Sequence, residues 1–394
     1  MYTMGSEEID AVRRVIESGM LFRYRGDETS ETDYFEREWA EKIGVAHALA
    51  VTSGTAALTC ALVGLNLGPG DEVIVPAYTW IATALAPLAV GAIPVLAEVD
   101  TSLTLDPADV ERKITPRTKA IIPVHMCGLP CNMTALMDVA ARRGLRVVED
   151  SCQANGGSFQ GRRLGSIGHV GCNSFNYFKI ITCGEGGAVV TNDMEIHQRA
   201  MMYHDAGIAF RPHADQIQIP FFAGSNYRMN DILSAILRVQ TRRLDGILQA
   251  LRNEKQILRE ALAGGSPFTL SPVNCPEGDC GTTFGMLFDS ADEARAMVEN
   301  LAKRGVTANR PIDTGRHVYT NWEPIIERRG AHHPARDPYQ QSPGVALNYA
   351  RDMCPKSLDY LARTVFIATS INRPQDELAR IVDEVKTADL RRHT

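Results

Sequence analysis

The sequence predicts an α/β fold: a large domain built on a mostly parallel sheet with helices on both faces, followed by a smaller α+β domain. Three observations carry this. Between residues 46 and 195, short apolar segments alternate with amphipathic ones, the pattern of repeated strand, loop and helix units. Segments such as Glu72-Val73-Ile74-Val75-Pro76 are nearly continuous apolar runs, as expected of strands covered on both faces. At 394 residues and 44% hydrophobic content the chain can also bury more than one core. In order, strands are expected at 47–52, 72–76, 93–98, 120–125 and 145–149, with helices at 56–65, 81–90, 107–114 and 133–143 between them. Two short strands follow, 171–175 and 188–191. A long amphipathic helix at 231–262 bridges to the second domain, which holds a strand at 283–288, a helix at 291–304, a Pro-, His- and Arg-rich loop from 311 to 343, and a terminal helix from 376. The domains are expected at 1–240, with an N-terminal helix, and 241–394. The least regular stretch, 325–342, reads as a lid or as a surface loop.

Charge and cysteine usage narrow the function. A net charge of −6 without a long basic run argues against nucleic acid or an anionic membrane as partner and favours small-molecule chemistry. The acidic start, Ser6-Glu7-Glu8, is unlike a secretion signal, so a cytoplasmic protein is expected. The uncharged stretch from 73 to 97 is broken by Pro76, Pro87, Gly91 and Pro94 and reads as folded elements rather than a membrane span. Nine scattered cysteines suit reduced thiols. Cys127/Cys131 and Cys275/Cys280 are only loosely zinc-like and no matched histidine pair completes a ligand set, so no metal is expected.

Three features converge on one chemistry. Thr52-Ser53-Gly54-Thr55-Ala56-Ala57-Leu58 follows a strand and opens a helix, a cup of free N–H groups suited to phosphate; alone, it is also an ordinary helix cap. Glu149 and Asp150 leave a strand end on opposite faces, so one can point into a site and hold a protonated ring nitrogen; alone, such an acid can equally cap a helix or pair with an arginine. Lys179 lies in Phe175-Asn176-Tyr177-Phe178-Lys179-Ile180, where an ammonium needs a partner, a neutral form or conversion to an imine; alone, its stem can pack while its head reaches water. Together, on the carboxyl edge of a parallel sheet, cup, carboxylate and amine meet the needs of lysine-bound pyridoxal 5'-phosphate. Trp80, past another strand end, can stack on the pyridine ring or pack in the core.

The same residues resemble the DegT/StrS-type sugar aminotransferases, within the fold-type I pyridoxal-phosphate enzymes. The likeness spans about Ser6 to Val385 and rests on the segment at Thr52, on 70–76, 115–125, 148–150 and 184–192, and on Gly224-Ser225-Asn226-Tyr227-Arg228-Met229-Asn230. It implies a seven-stranded-type sheet, Lys179 as Schiff-base lysine and proton shuttle, Asp150 as partner of the pyridine nitrogen, and Gln153 as contact to the ring hydroxyl. Gly54, Thr55 and Ser174 resemble phosphate ligands, Trp80 the stacking aromatic, and Asn226 a phosphate ligand from the neighbouring subunit, which implies a homodimer with shared sites. The implied reaction is a ping-pong transfer of an amino group from L-glutamate or L-glutamine to a keto-sugar, keto-cyclitol or keto-sugar acid. Relatives that carry histidine at the lysine position are dehydratases; Lys179 keeps this chain with the transaminases.

Phe22-Arg23-Tyr24-Arg25, with 124–128 and 181–184, is similar to a branch acting on keto-deoxy-octulosonate-like acids, where an arginine such as Arg23 pairs with a carboxylate. Arg228, His317 and Tyr319 are further candidates for substrate contacts, and are equally readable as loop or interface residues. Two alternatives remain: an aromatising enzyme similar to 3-amino-5-hydroxybenzoate synthase, which shares the segments at 124–126 and 224–226, and a cofactor-binding sensor without turnover.

Overall fold

A computed structural model describes residues 2–24, 29–208, 211, 214–264, 267–342 and 348–388; Arg25 and Pro343 lie outside the described residues. The chain opens with α1 (Ser6–Ser18) and α2 (Glu31–Ile43). The large sheet is then built from β1 (His47–Val51), α3 (Gly54–Gly64), β2 (Glu72–Pro76), α4 (Ala82–Ala89), β3 (Ile93–Ala97), α5 (Pro107–Lys113), β4 (Thr118–Ile121), α6 (Met133–Arg143) and β5 (Arg146–Asp150). A small hairpin of β6 (Ser158–Phe159) and β7 (Arg162–Arg163) precedes β8 (Val170–Ser174), β9 (Gly187–Thr191) and α7 (Met194–His204). The seven strands lie in the order β1-β9-β8-β5-β4-β2-β3, parallel except for β9, which runs against both of its neighbours.

Local sequence explains these elements. In α2 the Ser30 hydroxyl accepts from Asp33 N while the Asp33 carboxylate accepts from Ser30 N, a reciprocal cap, and Phe35, Trp39 and Ile43 at four-residue spacing form its buried stripe. The apolar α3 is buried along most of its length, sandwiched between the sheet and α7. Strand β4 is shorter than the expected 120–125. Pro123 lacks an N–H and the ladder stops before it, with Val124 rejoining only as a single parallel bridge to Asp150. Helices α2 and α7 lie outside the regular alternation and were not among the expected elements.

Helix α8 (Asp231–Leu262) follows, then β10 (Thr269–Leu270), β11 (Thr283–Leu287), α9 (Ala291–Lys303), the short α10 (Glu323–Ile326) and α11 (Pro338–Gln341), α12 (Pro355–Arg363), β12 (Thr364–Ala368) and α13 (Gln375–Thr387). Strands β10, β11 and β12 form a three-stranded antiparallel sheet. The expected boundary at 240/241 falls inside α8. Leu237, Leu244, Leu248 and Leu251 pack in a core of the large sheet, whereas Leu258 and Leu262 join the core of β11, α9, β12 and α13. Of the described residues that follow α9, Val318, Tyr319, Trp322, Ile325 and Leu361 pack instead on the large domain's other face. The chain therefore returns to the first domain after α9, and Ile325, at the start of the stretch read as lid or loop, is a fully buried core residue.

Candidate active site

Register brings the carboxyl ends of the strands together. Val51 at the end of β1 faces Gly187, which in turn faces Ser174 at the end of β8, and Asp150 at the end of β5 sits beside Cys172. Just past β1, Ser53 caps α3 by accepting from Ala56 N at 3.1 Å. Gly54 and Thr55 occupy the first turn, where N–H groups have no partner within the helix. Gly54 is required by space: a Cβ there would lie 2.8 Å from Ser174 Cβ and 2.9 Å from Cys152 Sγ. Cup and Ser174 are thus in direct contact.

The two acids of β5 diverge as strand geometry dictates. Glu149 is fully buried and accepts from Gly165 N, Ile167 N and Gly168 N at 3.0, 2.5 and 2.6 Å, with His125 Nε2 at 3.1 Å. The carboxylate favours an imidazolium, yet His125 Nδ1 accepts from Cys131 N at 3.1 Å and so needs its lone pair; the ring is the neutral Nε2–H tautomer donating to Glu149. Glu149 is a fastening of the 165–168 loop. Asp150 turns to the cavity, where its Oδ2 accepts from Thr83 Oγ1 at 2.8 Å and its Oδ1 from Cys152 N at 3.1 Å. Thr83 is itself joined to Thr79 at 2.8 Å. Donors on both oxygens fix the orientation of this carboxylate.

Lys179 lies on a turn tied at its base. Tyr177 N donates to Gly184 O, Cys183 N to Phe175 O and Phe175 N to Gly186 O; Thr182 Oγ1 donates to Phe175 O, and Asn176 Nδ2 to Glu185 Oε1. The apolar run does not bury the amine as expected: Phe175 is in the core, but Tyr177 and Phe178 are 63% and 75% exposed and Lys179 is half-buried. The tethered turn directs those two rings outward, so water is not excluded from Lys179 by its own neighbours.

One cavity of about 740 Å³ brings together Gly54, Thr55, Trp80, Asp150, Gln153, Ser174 and Lys179. His317 also lines it, its ring 5.2 Å from that of Trp80. His317 Nδ1 donates to Thr314 O at 3.1 Å, and burial, with the Lys179 charge nearby, moves its pKa below the usual 6.5. A neutral ring with an Nε2 acceptor results. Sequence reasoning missed Thr79, Thr83, Cys127, Glu185, Thr282, Thr283 and Thr369 in this lining. The last three come from the three-stranded sheet or its edge, more than a hundred positions beyond Lys179, and no local pattern marks them.

Four expected site residues do not line the cavity. Arg23 is internal: its guanidinium pairs with Glu36 at 2.9 Å and contacts His204 Nε2 at 3.0 Å, which corrects the reading of it as a carboxylate partner for substrate. Tyr319 is likewise structural, fully buried, with its hydroxyl donating to Arg351 O at 2.7 Å and accepting from Cys354 N at 3.1 Å. Arg228 is held by Asp205, in which its guanidinium finds a fully buried carboxylate. Asn226 lies on the same segment, bridged to Asp205, with its Oδ1 accepting from Arg228 N at 3.3 Å.

A phosphate-sized cup, a braced carboxylate and an amine in one cavity fit pyridoxal phosphate, and no group of three or more His, Cys, Asp or Glu that could hold a metal occurs among the described residues. Residues 2–386 match the DegT/DnrJ/EryC1/StrS aminotransferase family. The chain belongs to that family and is a pyridoxal-phosphate-dependent aminotransferase. It is 38% identical over 308 residues to the 3-amino-5-hydroxybenzoate synthase of Amycolatopsis mediterranei, covering 76% of this chain and 78% of that protein. It is 39% identical over 301 residues to the dTDP-3-amino-3,4,6-trideoxy-alpha-D-glucose transaminase of Streptomyces venezuelae, covering 75% of each. Against an L-glutamine:2-deoxy-scyllo-inosose aminotransferase of Streptoalloteichus tenebrarius it is 38% identical over 276 residues, covering 67% of this chain and 65% of that protein. Among solved structures it resembles 3-amino-5-hydroxybenzoic acid synthase, with a TM-score of 0.81 at 30% identity covering 98% and 97% of the two chains. It also resembles S. venezuelae DesV in complex with a ketimine intermediate, with a TM-score of 0.80 at 31% identity covering 98% and 95%.

Proposed function

We propose that this enzyme moves the amino group of L-glutamate or L-glutamine to a ketone on a neutral sugar or cyclitol ring. The observation that carries the reading is the cavity in which Lys179, Asp150 and the Gly54–Thr55 cup converge. Bound there, the cofactor supplies an electron sink for the carbon that loses or gains a proton. Asp150, braced by Thr83 and Cys152, keeps the ring nitrogen protonated, and the N–H groups of Gly54 and Thr55 with the Ser174 hydroxyl take the phosphate. Trp80 would cover one ring face. Lys179 would hold the cofactor and, once released, carry a proton at its Nζ. Gln153, which lines the same cavity, would meet the ring oxygen, the role that the likeness to the family implies.

The Thr283 hydroxyl offers an acceptor ring a donor, while the hydroxyl oxygens of Thr79, Thr282 and Thr369, whose protons are spent within the protein, and the neutral His317 Nε2 offer acceptors. With Arg23 turned inward, the acid-binding expectation loses its residue, so a keto-sugar acid is not the favoured acceptor. Asn226 and Arg228 lie outside their own chain's cavity, and Ile9, Ile16, Leu21, Phe22, Tyr177 and Phe178 are exposed. Both facts support a homodimer in which Asn226 completes the partner's phosphate site. No helix among the described residues is long and apolar enough to cross a membrane, and the nine free thiols favour the cytoplasm. Likeness to 3-amino-5-hydroxybenzoate synthase keeps an aromatising reaction as the second reading.

The test is incubation with amine-labelled glutamate or glutamine and a set of neutral ketones, including scyllo-inosose, alongside an aminodehydroshikimate. Label in an amino-cyclitol or amino-sugar supports the proposal. Conversion of the aminodehydroshikimate alone, with no amine transfer to any ketone, contradicts it.

A further inference from the structure

The turn that faces Gln153 is held in an unusual conformation from two sides. Cys127, a non-glycine residue, is left-handed at φ 53°, ψ 29°, and Gly128 after it is left-handed at φ 77°. Such a conformation is disfavoured for a residue with a side chain and persists where its surroundings enforce it. On one side, Cys127 N donates to Gln153 Oε1 at 3.2 Å. On the other, Thr282 Oγ1 donates to Cys127 O at 2.5 Å and Cys280 N donates to Gly128 O at 3.0 Å. The packing is close, since a Cβ on Gly128 would lie 2.7 Å from Thr282 Oγ1.

The bond from Cys127 N settles the orientation of the Gln153 amide. A backbone N–H requires an oxygen as acceptor, so Oε1 faces the turn and the Nε2 hydrogens, without a partner among the described residues, are left for the cavity that Gln153 lines. If the turn relaxed, the amide could reverse and present an acceptor to an electron-rich ring oxygen, an unfavourable contact. Thr282 belongs to the segment leading into β11, whose backbone is fastened by Thr369 N to Thr282 O at 3.1 Å and Thr369 Oγ1 to Gly281 O at 2.6 Å. The C-terminal sheet thereby reaches Gln153 through one turn.

We propose that Thr282 is a positioning residue: by holding Cys127 O it maintains the left-handed turn that fixes the Gln153 amide with its N–H groups toward the cofactor's ring oxygen. This rests on the pyridoxal-phosphate reading of the cavity. Donation by Gln153 Nε2 draws charge from that oxygen and weakens its hold on the proton it shares with the Lys179 nitrogen. The pH midpoint of the visible cofactor band should therefore be set low by Gln153 and, through the turn, by Thr282.

The test is spectroscopic titration of the cofactor-loaded protein. Gln153→Ala is expected to raise the midpoint by about one pH unit or more, the scale of a lost hydrogen bond to a charged acceptor. Thr282→Val is expected to raise it in the same direction by at least about half a unit, and Thr282→Ser, which keeps the hydroxyl, to titrate with the wild type. If Thr282→Val does not fold, Cys127→Val against Cys127→Gly replaces it: the β-branched side chain should raise the midpoint and glycine, which accepts the turn without strain, should not. A Thr282→Val midpoint equal to that of the wild type, equal shifts for Val and Ser, or no shift in Gln153→Ala each overturns the proposal while leaving the cofactor assignment intact. A wild-type protein with no visible band overturns the cofactor assignment, and this inference with it.

Discussion

Asp150 and Glu149 are adjacent carboxylates with separate work: one waits in the cavity between Thr83 and Cys152 N, the other is consumed by three backbone N–H groups and His125. His204 is a comparable case among the bases. It is fully buried, donates from Nδ1 to Met201 O at 2.5 Å, and turns Nε2 to the Arg23 guanidinium, with Arg228 nearby. Burial and then Arg23 hold its pKa well below the usual 6.5. Its sign follows from proton counting: below that value the unfolded chain binds a proton that the folded chain refuses, so stability falls as pH drops from 6.5. Urea unfolding of the cofactor-free protein between pH 7 and 5 should show this loss, and His204→Gln should flatten it; an unchanged slope in the variant contradicts the assignment. At this scale the sequence was informative where chain order sufficed, as with Asp150, Lys179 and the Gly54 cup, all brought to one sheet edge by the parallel alternation. It was not informative for Arg23, because its partner Glu36 and its contact His204 are set by how α2 and α7 pack. The aromatics around Lys179 misled in the same way, since a run of apolar residues does not say which rings turn outward.

Among the elements, β9 carries a close tolerance at the cup. Running against β1 and β8, it places Gly187 where a Cβ would meet Ser53 O at 2.3 Å and Asn173 O at 2.9 Å, atoms of the backbone that cannot rotate away. Gly187→Ala should therefore push β1 from β9 and deform the cap of α3. We expect at least about 2 kcal/mol of lost stability, as for overpacking of a rigid core, together with weaker phosphate binding. Thermal unfolding and phosphate-analogue competition measure both; an alanine variant with wild-type melting and cofactor affinity would contradict the strand packing. A strand at 188–191 was legible in sequence, but not that it would run between β1 and β8 with Gly187 against Ser53. Helix α8 shows the converse. Its full extent from 231 to 262 follows from its amphipathic pattern, while the point at which it leaves one core for the other, between Leu251 and Leu258, depends on where β11 and α13 settle.

For the molecule as a whole, we propose that a complete site needs two chains. If Asn226 acts across the interface, a mixture of Lys179→Ala with an Asn226→Asp variant, each inactive alone, should regain activity. A dimer of one chain of each kind contains one intact site and one doubly damaged site, so random exchange restores about a quarter of all sites. Recovery measured after co-refolding checks this, and none at all would place Asn226 in its own chain's site or outside any. The expectation of two sequential domains, 1–240 and 241–394, leaves out one feature: Val318, Tyr319, Trp322 and Ile325 pack in a core of the large sheet, next to His317 at Trp80, and nothing in the irregular composition of that stretch announces it. Lys179 as the lysine that holds pyridoxal phosphate can be checked by borohydride reduction of the loaded enzyme followed by peptide mass analysis. One pyridoxyl-labelled peptide is expected, the one containing Lys179, with no label in Lys179→Ala; a label on another lysine, or a wild-type peptide at Lys179 left unmodified while the visible band is reduced, would contradict this assignment.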